Sequence, residues 1–150
     1  MKLTHVDDSG NARMVDIGDK KTATRTALAE GKLFVSEQTS KLIRESNLPK
    51  GNPFEVARIA AIQAAKQTSQ LIPLCHSLAL DFADVDIDLQ EDGFLIRSHV
   101  RCRWATGVEM EALVAVSVAA LTLYDMCKAV DKEMVIGDIR LLEKVKEESD

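Results

Sequence analysis

The chain has 150 residues, of which 46% are hydrophobic and 29% charged, and its formal net charge is −5. This composition is typical of a folded globular protein, and the length predicts a single domain over residues 1–150. The negative charge argues against a protein that coats nucleic acid, and no stretch approaches the ~20 apolar residues that span a bilayer. Residues 1–13 lack the apolar centre of a secretory signal, so we expect a cytoplasmic protein without a nucleic-acid or membrane partner.

The first half of the chain predicts one extended segment followed by two helices. Residues Thr22–Ser36 contain an apolar cluster that favours a strand, although their alanine content leaves a helix as the competing interpretation. Residues Glu37–Ser46 predict a short helix. A longer helix begins with Asn52 as its cap and Pro53 at its first position, and we expect it to run to about Leu71. Its many alanines indicate close packing against a sheet or another helix.

The second half predicts a hairpin, a long helix and a last strand. Apolar residues alternate in Leu80–Leu89 and again in Phe94–Cys102, and the glycine-containing turn between them is typical of a β-hairpin. Residues Glu109–Val130 show helical apolar spacing, Met134–Leu142 predict a strand, and we expect the charged tail Lys144–Asp150 to be loose. The order of elements predicts an α+β fold, a ferredoxin-like antiparallel sheet with helices packed on one face.

Three cysteines, Cys75, Cys102 and Cys127, lie far apart in the sequence, and no two of them have CxxC spacing. This pattern indicates neither a zinc site nor a disulfide framework, and we expect no metal site. We predict that Cys102 and Cys127 are buried free thiols, because unpaired cysteines are usually core residues.

The segment Leu74-Cys75-His76 is the first candidate for a functional site. It follows the proline that ends the second helix, in a short connection of the kind that often carries functional residues. Histidine side chains serve as general acids or bases, and they bind phosphate when protonated. A structural histidine is the competing interpretation.

The segment Glu109-Met110-Glu111 is the second candidate, at the junction between the hairpin and the long helix. Gly107 frees the backbone to turn there, and Thr106 or a neighbour could cap the helix. Carboxylates in a first turn are favoured by the helix dipole, so a purely structural role is the competing interpretation.

Asp125 and Lys128 form the third candidate, three residues apart on one face of the long helix. Such pairs are usually solvated and contribute little, but Asp125 interrupts a largely apolar run and must be paired or functional. On one continuous helix Glu111 and Asp125 would lie ~21 Å apart along the axis, so they could not both touch one small ligand. Either the Glu111 segment leaves the helix axis, or a pocket combines two subunits, and we favour the second hypothesis.

A basic row alternates along the return strand of the hairpin and therefore lies on one face of it: Arg97, His99, Arg101 and Arg103. Such a row could hold a triphosphate. We favour the solvated outer face of the sheet as the explanation, because water alone is enough to hydrate these charges.

Segments spread over nearly the whole chain resemble the cyclic pyranopterin monophosphate synthase family of molybdenum cofactor biosynthesis. In chain order they are Leu3-Thr4-His5, Met14-Val15-Asp16, Lys50-Gly51, Ala57-Arg58-Ile59-Ala60, Gln63-Ala64-Ala65-Lys66, Leu71-Ile72-Pro73-Leu74-Cys75-His76, Thr106-Gly107-Val108-Glu109-Met110-Glu111-Ala112-Leu113, Tyr124-Asp125-Met126-Cys127-Lys128-Ala129-Val130 and Met134-Val135-Ile136. Each segment is short, but their order and spacing together are specific.

The resemblance implies a ferredoxin-like subunit in a homohexamer built as three dimers, with the active pocket at the dimer interface. It implies conversion of (8S)-3',8-cyclo-7,8-dihydroguanosine 5'-triphosphate to cyclic pyranopterin monophosphate with release of pyrophosphate. No redox cofactor is implied, and Mg²⁺ is left open as a companion of the triphosphate. The alternative function is a non-catalytic, nucleotide-sensing oligomer of the same fold.

Matching motifs also imply residue roles. Asp125 would be the catalytic acid or base, and Lys128 would hold its charge or donate a proton. Lys50 and Lys144 would meet the phosphates or the reacting ring. The other substrate-binding residues would be Leu74, Cys75, His76, Glu109, Met110 and Glu111. Fixed cations suit this chemistry, because expelling pyrophosphate concentrates negative charge on the leaving oxygens.

Overall fold

The helices and strands follow one another in the order that the sequence predicts. The computed structural model describes residues 4–148. The elements are β1 (Ala23–Phe34), α1 (Glu37–Arg44), α2 (Pro53–Lys66), α3 (Thr68–Leu71), β2 (Phe82–Leu89), β3 (Gly93–Trp104), α4 (Glu109–Cys127) and β4 (Val135–Glu148). The strand within residues 22–36 is therefore confirmed over the helical alternative, and so is the hairpin of β2 and β3.

The four strands form one antiparallel sheet in the order β2-β3-β1-β4. β1 lies inside the sheet because it pairs with β3 along one edge and with β4 along the other. α2 and α4 pack against the sheet and against each other. This arrangement confirms the predicted α+β, ferredoxin-like fold with helices on one face.

The core between the sheet and the helices is built largely from small residues. Ala27 on β1, Ala57 on α2 and Ala119 on α4 are each no more than 1% exposed. Gly31 marks a close approach of helix and strand, since a Cβ atom there would lie 2.5 Å from Cγ1 of Val116. Close packing of this kind leaves little freedom to shift α4 along or away from β1.

α4 is apolar along most of its length. By length and composition it is able to cross a membrane. This finding corrects the expectation that no stretch of the chain is apolar enough to span a bilayer. However, 56% of its most apolar window is buried inside the protein, where α4 packs on β1, β3 and α2. A helix in the core of a globular domain shows the same composition, and α4 is such a helix.

α2 begins as predicted but ends earlier. The Asn52 side chain accepts a hydrogen bond from the Phe54 N–H at 2.9 Å, which confirms the cap. The helix stops at Lys66 rather than near residue 71, and Thr68–Leu71 form the separate turn α3. The Thr68 hydroxyl donates to the carbonyl of Ala65 at 3.0 Å, and such a side-chain bond competes with the backbone ladder at a helix end.

β4 is longer than predicted and corrects the expectation of a loose tail. It runs to Glu148, whereas the expected strand ended at Leu142. Residues 144–148 pair with β1, from Lys144 opposite Ala27 to Glu148 opposite Ala23. Backbone pairing along an edge strand thus orders a segment whose exposed, charged side chains gave no strand signal. Residues 149–150 of the expected tail lie outside the described residues.

All three cysteines lie within the described residues and are free thiols, which confirms the prediction made for Cys102 and Cys127. Cys102 and Cys127 are fully buried, and burial raises the pKa of both thiols to about 11. Thiols with so high a pKa carry almost no thiolate at neutral pH and are poor nucleophiles. Both residues therefore contribute to packing rather than to chemistry.

A buried carboxylate ties the loop after α4 to the start of α1. Asp131 is 6% exposed, and its Oδ2 accepts hydrogen bonds from the Ser36 N–H at 2.8 Å and the Thr39 hydroxyl at 3.0 Å. Its Oδ1 accepts from the Glu133 N–H at 3.1 Å. Burial alone would raise the pKa of Asp131, but these donors outweigh it and hold the pKa below its ordinary value.

Asp131→Asn is expected to destabilise the fold by roughly 1–3 kcal/mol at neutral pH, because its NH₂ group would face donors that need an acceptor. The pKa of Asp131 is lowered from an ordinary value of 3.8, so this stabilisation is present above that pH and is lost as the pH falls through the folded-state pKa. Urea unfolding followed by circular dichroism over a pH series measures both effects. Asp92→Asn is the control, because the exposed Asp92 pairs with Lys32 at the surface. Equal destabilisation by the two substitutions would contradict the prediction.

Candidate active site

Three chain segments meet at the N-terminal end of α4 around a cavity of about 380 Å³. They come from residues 4–20, 74–78 and 106–111. The predicted substrate-binding residues that line the cavity are Leu74, Cys75, His76, Glu109, Met110 and Glu111. Folding thus brings the first two candidate segments, which are far apart in the sequence, to one place.

His76 is held by the N-terminal segment. Its Nε2–H donates a hydrogen bond to the carbonyl of Val15 at 2.7 Å. A carbonyl only accepts, so Nε2 is the ring nitrogen that carries a proton in this contact. The backbone of the N-terminal segment therefore fixes the orientation of a half-buried imidazole in the cavity wall.

Glu111 is a buried carboxyl group in the wall of the same cavity, with 4% exposure. Burial raises its pKa to about 7, and the charge of Glu109 adds to this effect. Burial and the charge of Glu111 also raise the pKa of the Cys75 thiol. A carboxyl group that titrates near neutrality is able to give and accept a proton at working pH, as general acid–base catalysis requires.

Glu109 stands between this cavity and a smaller one of about 140 Å³, and it lines both. Its Oε1 forms a salt bridge with Nζ of Lys144 at 3.2 Å. Lys144 lies on β4, in the segment that was expected to be loose, and it reaches Glu109 because β4 continues along β1 past the start of α4. The structure therefore places Lys144 beside the other predicted residues of this end of α4.

Asp125 lies at the other end of α4, between two lysines. Its Oδ1 accepts from Nζ of Lys128 and its Oδ2 from Nζ of Lys50, both at 2.7 Å. Lys50 also donates to the carbonyl of Asp125 at 2.9 Å. Hydrogen bonds from Lys128 and Lys50 lower the pKa of Asp125 to about 2, and the carboxylate in turn raises the pKa of Lys128. The predicted pair is confirmed, and Lys50 joins it from a distant part of the chain.

The two groups of predicted residues do not meet within one copy of the chain. α4 is continuous from Glu109 to Cys127, so Glu111 and Asp125 lie ~21 Å apart along its axis. The hypothesis that the Glu111 segment leaves the helix axis is therefore wrong. The side chain of Asp125 is 53% exposed and is therefore accessible from solvent.

The basic row of β3 lies on the face of the sheet away from the helices. Its members are all exposed: Arg97, His99, Arg101 and Arg103. Nε of Arg97 donates to Glu30 at 2.8 Å, and the Phe82 ring packs edge-on against His99 with centroids 5.1 Å apart. These contacts agree with the favoured interpretation, the outer face of a sheet.

Sequence patterns do not identify the N-terminal segment as part of the cavity. Its lining residues are Thr4, His5, Val15, Ile17 and Lys20. The segment has no helical or strand periodicity, and its one isolated bridge joins Val6 to Ala12. The motifs around Thr4-His5 and Val15, quoted above for the family resemblance, are the signal that points to it.

Comparison with known proteins decides the family. A model described as the MoaC family matches residues 14–147. The chain belongs to the MoaC family. The cyclic pyranopterin monophosphate synthase of Chloroflexus aurantiacus is 54% identical over 145 residues, covering 95% of this chain and 89% of that protein. The protein of the same name from Desulfitobacterium hafniense is 52% identical over 145 residues, covering 96% and 89%. A molybdenum cofactor biosynthesis bifunctional protein of Chlorobaculum tepidum is 53% identical over 141 residues, covering 94% of this chain and 45% of that protein.

In this MoaC family protein, Glu111→Gln should change the dependence of stability on pH. The pKa of Glu111 is raised from 4.5 to about 7, so the folded chain binds more protons than the unfolded chain between these values. The corresponding stabilisation is complete below pH 4.5 and is lost as the pH rises through about 7. The variant, which cannot titrate there, should gain stability relative to the wild type over this interval.

Thermal unfolding of both proteins across a pH series measures this difference. Glu109→Gln is the companion variant, because removing the charge of Glu109 should shift the Glu111 transition to lower pH. A difference between wild type and Glu111→Gln that stays constant from pH 4.5 to pH 7 would show that Glu111 titrates normally.

Proposed function

We propose that this protein converts (8S)-3',8-cyclo-7,8-dihydroguanosine 5'-triphosphate to cyclic pyranopterin monophosphate with release of pyrophosphate, a phosphorus–oxygen lyase reaction early in molybdenum cofactor biosynthesis. The observation that carries the proposal is the gathering of the family-matched residues into two clusters at the two ends of α4. Relatives that match nearly the whole chain bear the name cyclic pyranopterin monophosphate synthase. This similarity favours an enzyme over a nucleotide-sensing oligomer of the same fold.

At the cavity end of α4, Glu111 and His76 are suited to proton transfer. Glu111, with a pKa of about 7, is present in both protonation states at neutral pH, and rebuilding the guanosine ring as a pyranopterin requires protons to be removed and returned. Cys75 stays protonated because its pKa is raised, so it serves as a neutral contact. Leu74 and Met110 supply apolar wall for a flat heterocycle.

At the other end, the cluster of Lys50, Asp125 and Lys128 is suited to handling negative charge. Asp125 is ionised at neutral pH because its pKa is about 2, so it accepts a proton rather than donating one. Lys128 is protonated because its pKa is raised, and it is able to donate a proton or stabilise an oxyanion. Two lysines share one carboxylate, so the cluster keeps a net positive charge. This charge would stabilise the phosphate oxygens that become more negative as pyrophosphate leaves.

The proposed active site lies between two copies of the chain, in a homohexamer built as three dimers. One copy holds its two clusters apart by the length of α4, so a substrate that contacts both must receive them from different copies. The half-exposed side chains of Asp125 and Lys128 suit such a shared site. Exposed apolar side chains such as Ile59, Leu71 and Leu121 offer surface that contact between copies would bury.

The proposed reaction requires no redox cofactor, and Mg²⁺ is treated as part of the triphosphate substrate where it accompanies it. Residues 4–148 contain no group of three or more His, Cys, Asp and Glu side chains that could hold a metal ion. Lys50, Lys128 and Lys144 are the side chains proposed to neutralise the phosphates. A cytoplasmic location is proposed because the three cysteines are free, as is usual in a reducing compartment.

Asp125→Asn is expected to lower kcat by about 10²-fold or more, because it removes a carboxylate that accepts a proton and orients two cations. The cyclised guanosine triphosphate is the substrate, and pyrophosphate release and pterin formation are measured together. Asp92→Asn, which removes another exposed carboxylate paired with a lysine, is the control and should turn over at the wild-type rate. Undiminished turnover by Asp125→Asn would overturn its role, and wild-type binding without pyrophosphate release would identify a nucleotide sensor.

Mixing two inactive variants tests the shared site. Subunits carrying Glu111→Gln and subunits carrying Asp125→Asn should each be inactive alone. After unfolding and refolding together, random pairing should restore activity to about a quarter of the sites, because a mixed dimer holds one site without either substitution.

The control for this experiment mixes Glu111→Gln with a double variant carrying both substitutions. No site in that mixture receives both native residues, so it should remain inactive. Equal activity of the two mixtures would show that each copy carries its own complete site.

A further inference from the structure

The outer face of the sheet, the one away from the helices, carries a row of paired charges. Arg97 on β3 and Arg140 on β4 both lie opposite Glu30 on β1. Both arginines donate to the Glu30 carboxylate, Arg97 at 2.8 Å and Arg140 at 3.1 Å. Asp86 on β2 lies on the other side of Arg97. Charges of alternating sign therefore cross this face from one edge of the sheet to the other, and opposite charges on neighbouring strands stabilise a sheet.

Arg101 and Arg103, further along β3 on the same face, have no such partners. Phe82 on β2 and Thr26 on β1 lie opposite Arg101. Thr24 on β1 lies opposite Arg103. Within residues 4–148, neither arginine forms a salt bridge. Their Cα atoms lie about 7 Å apart, the spacing of residues two positions apart in a strand, so two like charges are held close together at one end of the sheet.

The nearest carboxylates of the described chain do not neutralise this pair. Asp81 immediately precedes Phe82, and because side chains alternate along an extended chain, it lies toward the helix-covered face. Burial raises the pKa of the Cys102 thiol on that face to about 11, and nearby charges that include Asp81 add to this effect. Glu147 on β4 lies on the outer face, but β1 separates it from Arg103, and two strand spacings amount to about 10 Å. The pair therefore presents positive charge to solvent, although the chain as a whole is acidic.

An exposed aromatic ring lies beside the two arginines. Phe82 is 38% exposed, and the guanidinium carbon of Arg101 lies 5.7 Å from the centroid of its ring. A cation over the face of an aromatic ring is attracted to it, which keeps the Arg101 side chain close to Phe82. The His99 ring packs edge-on against Phe82, with centroids 5.1 Å apart. Aromatic surface and permanent positive charge thus lie next to each other on an open face of the sheet.

We propose that Arg101, Arg103 and Phe82 form a binding site for a free nucleotide, which binds its phosphates through the two arginines and its base beside the Phe82 ring. A guanidinium group presents planar N–H donors that match two phosphate oxygens, and its charge is permanent. A base stacks on an aromatic side chain whatever its identity, because every base has a π face. The site is therefore expected to bind adenine and guanine nucleotides with similar affinity.

The size and charge of the site favour a free nucleotide over a nucleic acid strand. Two arginines match the short phosphate chain of a nucleoside triphosphate. Proteins that coat nucleic acid neutralise many more phosphates along the strand. The same face of the sheet also carries a row of acidic residues on β2: Asp84, Asp86 and Asp88. These carboxylates would repel a strand that extended across the sheet.

This site is separate from the proposed active site. The cavity around His76 and Glu111 lies at the start of α4, on the helix-covered side of the sheet. Arg101 and Arg103 lie on the opposite face, since Cys102 between them is fully buried beneath the helices. The inference therefore goes beyond the proposed function and does not rest on it.

ATP is the probe, titrated calorimetrically into the intact protein at low ionic strength without divalent cations, so that its phosphate charge is not neutralised. Arg101→Gln and Arg103→Gln are each expected to weaken ATP binding by roughly fivefold or more, because charge-assisted hydrogen bonds to phosphate are lost. Arg103→Lys keeps the charge without the planar donor set and should bind with intermediate affinity. Phe82→Leu should weaken the binding of ATP more than that of inorganic tripolyphosphate, since only ATP carries a base.

Arg97→Gln is the matched control, because it removes the same charge from the same strand and face at a position where Glu30 already compensates it. It should bind ATP like the wild type. An equal loss in all three glutamine variants would reveal a general electrostatic effect and overturn the site. Circular dichroism checks that each variant is folded. Should one glutamine variant of the site be unfolded, the other and Arg103→Lys decide, and wild-type ATP affinity in both would overturn the site.

Turnover separates this site from the active site. Arg103→Gln should convert the cyclised guanosine triphosphate with wild-type kcat and KM. A rise in KM that matches the loss of ATP affinity would place the bound nucleotide in the active-site cavity and overturn the inference. Arginine-dependent binding of ATP in a protein without turnover would support the site and overturn the proposed function. A single-stranded RNA that binds through the two arginines when ATP does not would identify a nucleic acid surface instead, and it too would overturn the inference.

Discussion

The close packing of α4 on β1 is the constraint on which the rest of the structure depends. Gly31 admits Val116 to a position where a Cβ atom would lie only 2.5 Å away, and small residues such as Ala27 and Ala119 continue this contact. A continuous helix held so tightly to an inner strand of the sheet has fixed ends. One end brings Glu109 to Lys144 and Arg25 on the sheet, and the other carries Asp125. The geometry of both clusters thus follows from the packing of the core.

The pKa values of two carboxyl groups are shifted in opposite directions at the two ends of this helix. Burial raises the pKa of Glu111 to about 7, whereas two lysines lower that of Asp125 to about 2. Environments that separate the pKa values of two acids are a common way to assign them different roles. A group that exchanges protons near neutrality suits the rearrangement of a ring. A permanently ionised group flanked by cations suits the departure of a phosphate.

The edge strand β4 determines where several charged side chains lie. Its last residues carry Lys144, Lys146 and Glu148, and pairing with β1 sets them opposite Ala27, Arg25 and Ala23. Had this segment been loose, Lys144 would not be held beside Glu109, and Arg25 would not face a second cation. Backbone hydrogen bonds therefore hold like-charged side chains close together, although these side chains repel one another and would move apart in a flexible tail. The positive end of the α4 dipole lies at the same place.

The sequence by itself determined the features that depend on neighbouring residues: the Asn52 cap, the alternation of the hairpin, the apolar spacing of α4 and, through the constant helical rise, the distance between Glu111 and Asp125. The resemblance to family motifs indicated which residues belong to the proposed site. Only the tertiary structure decided that Lys50 reaches Asp125, that Val15 holds His76, that α2 ends at Lys66 and that β4 continues to Glu148. Lys50, Val15 and β4 meet partners far away in the chain, and no local period records a contact that exists only after the chain has folded. The apolar spacing that predicts α2 continues to Leu71, so this spacing does not mark the end of the helix at Lys66.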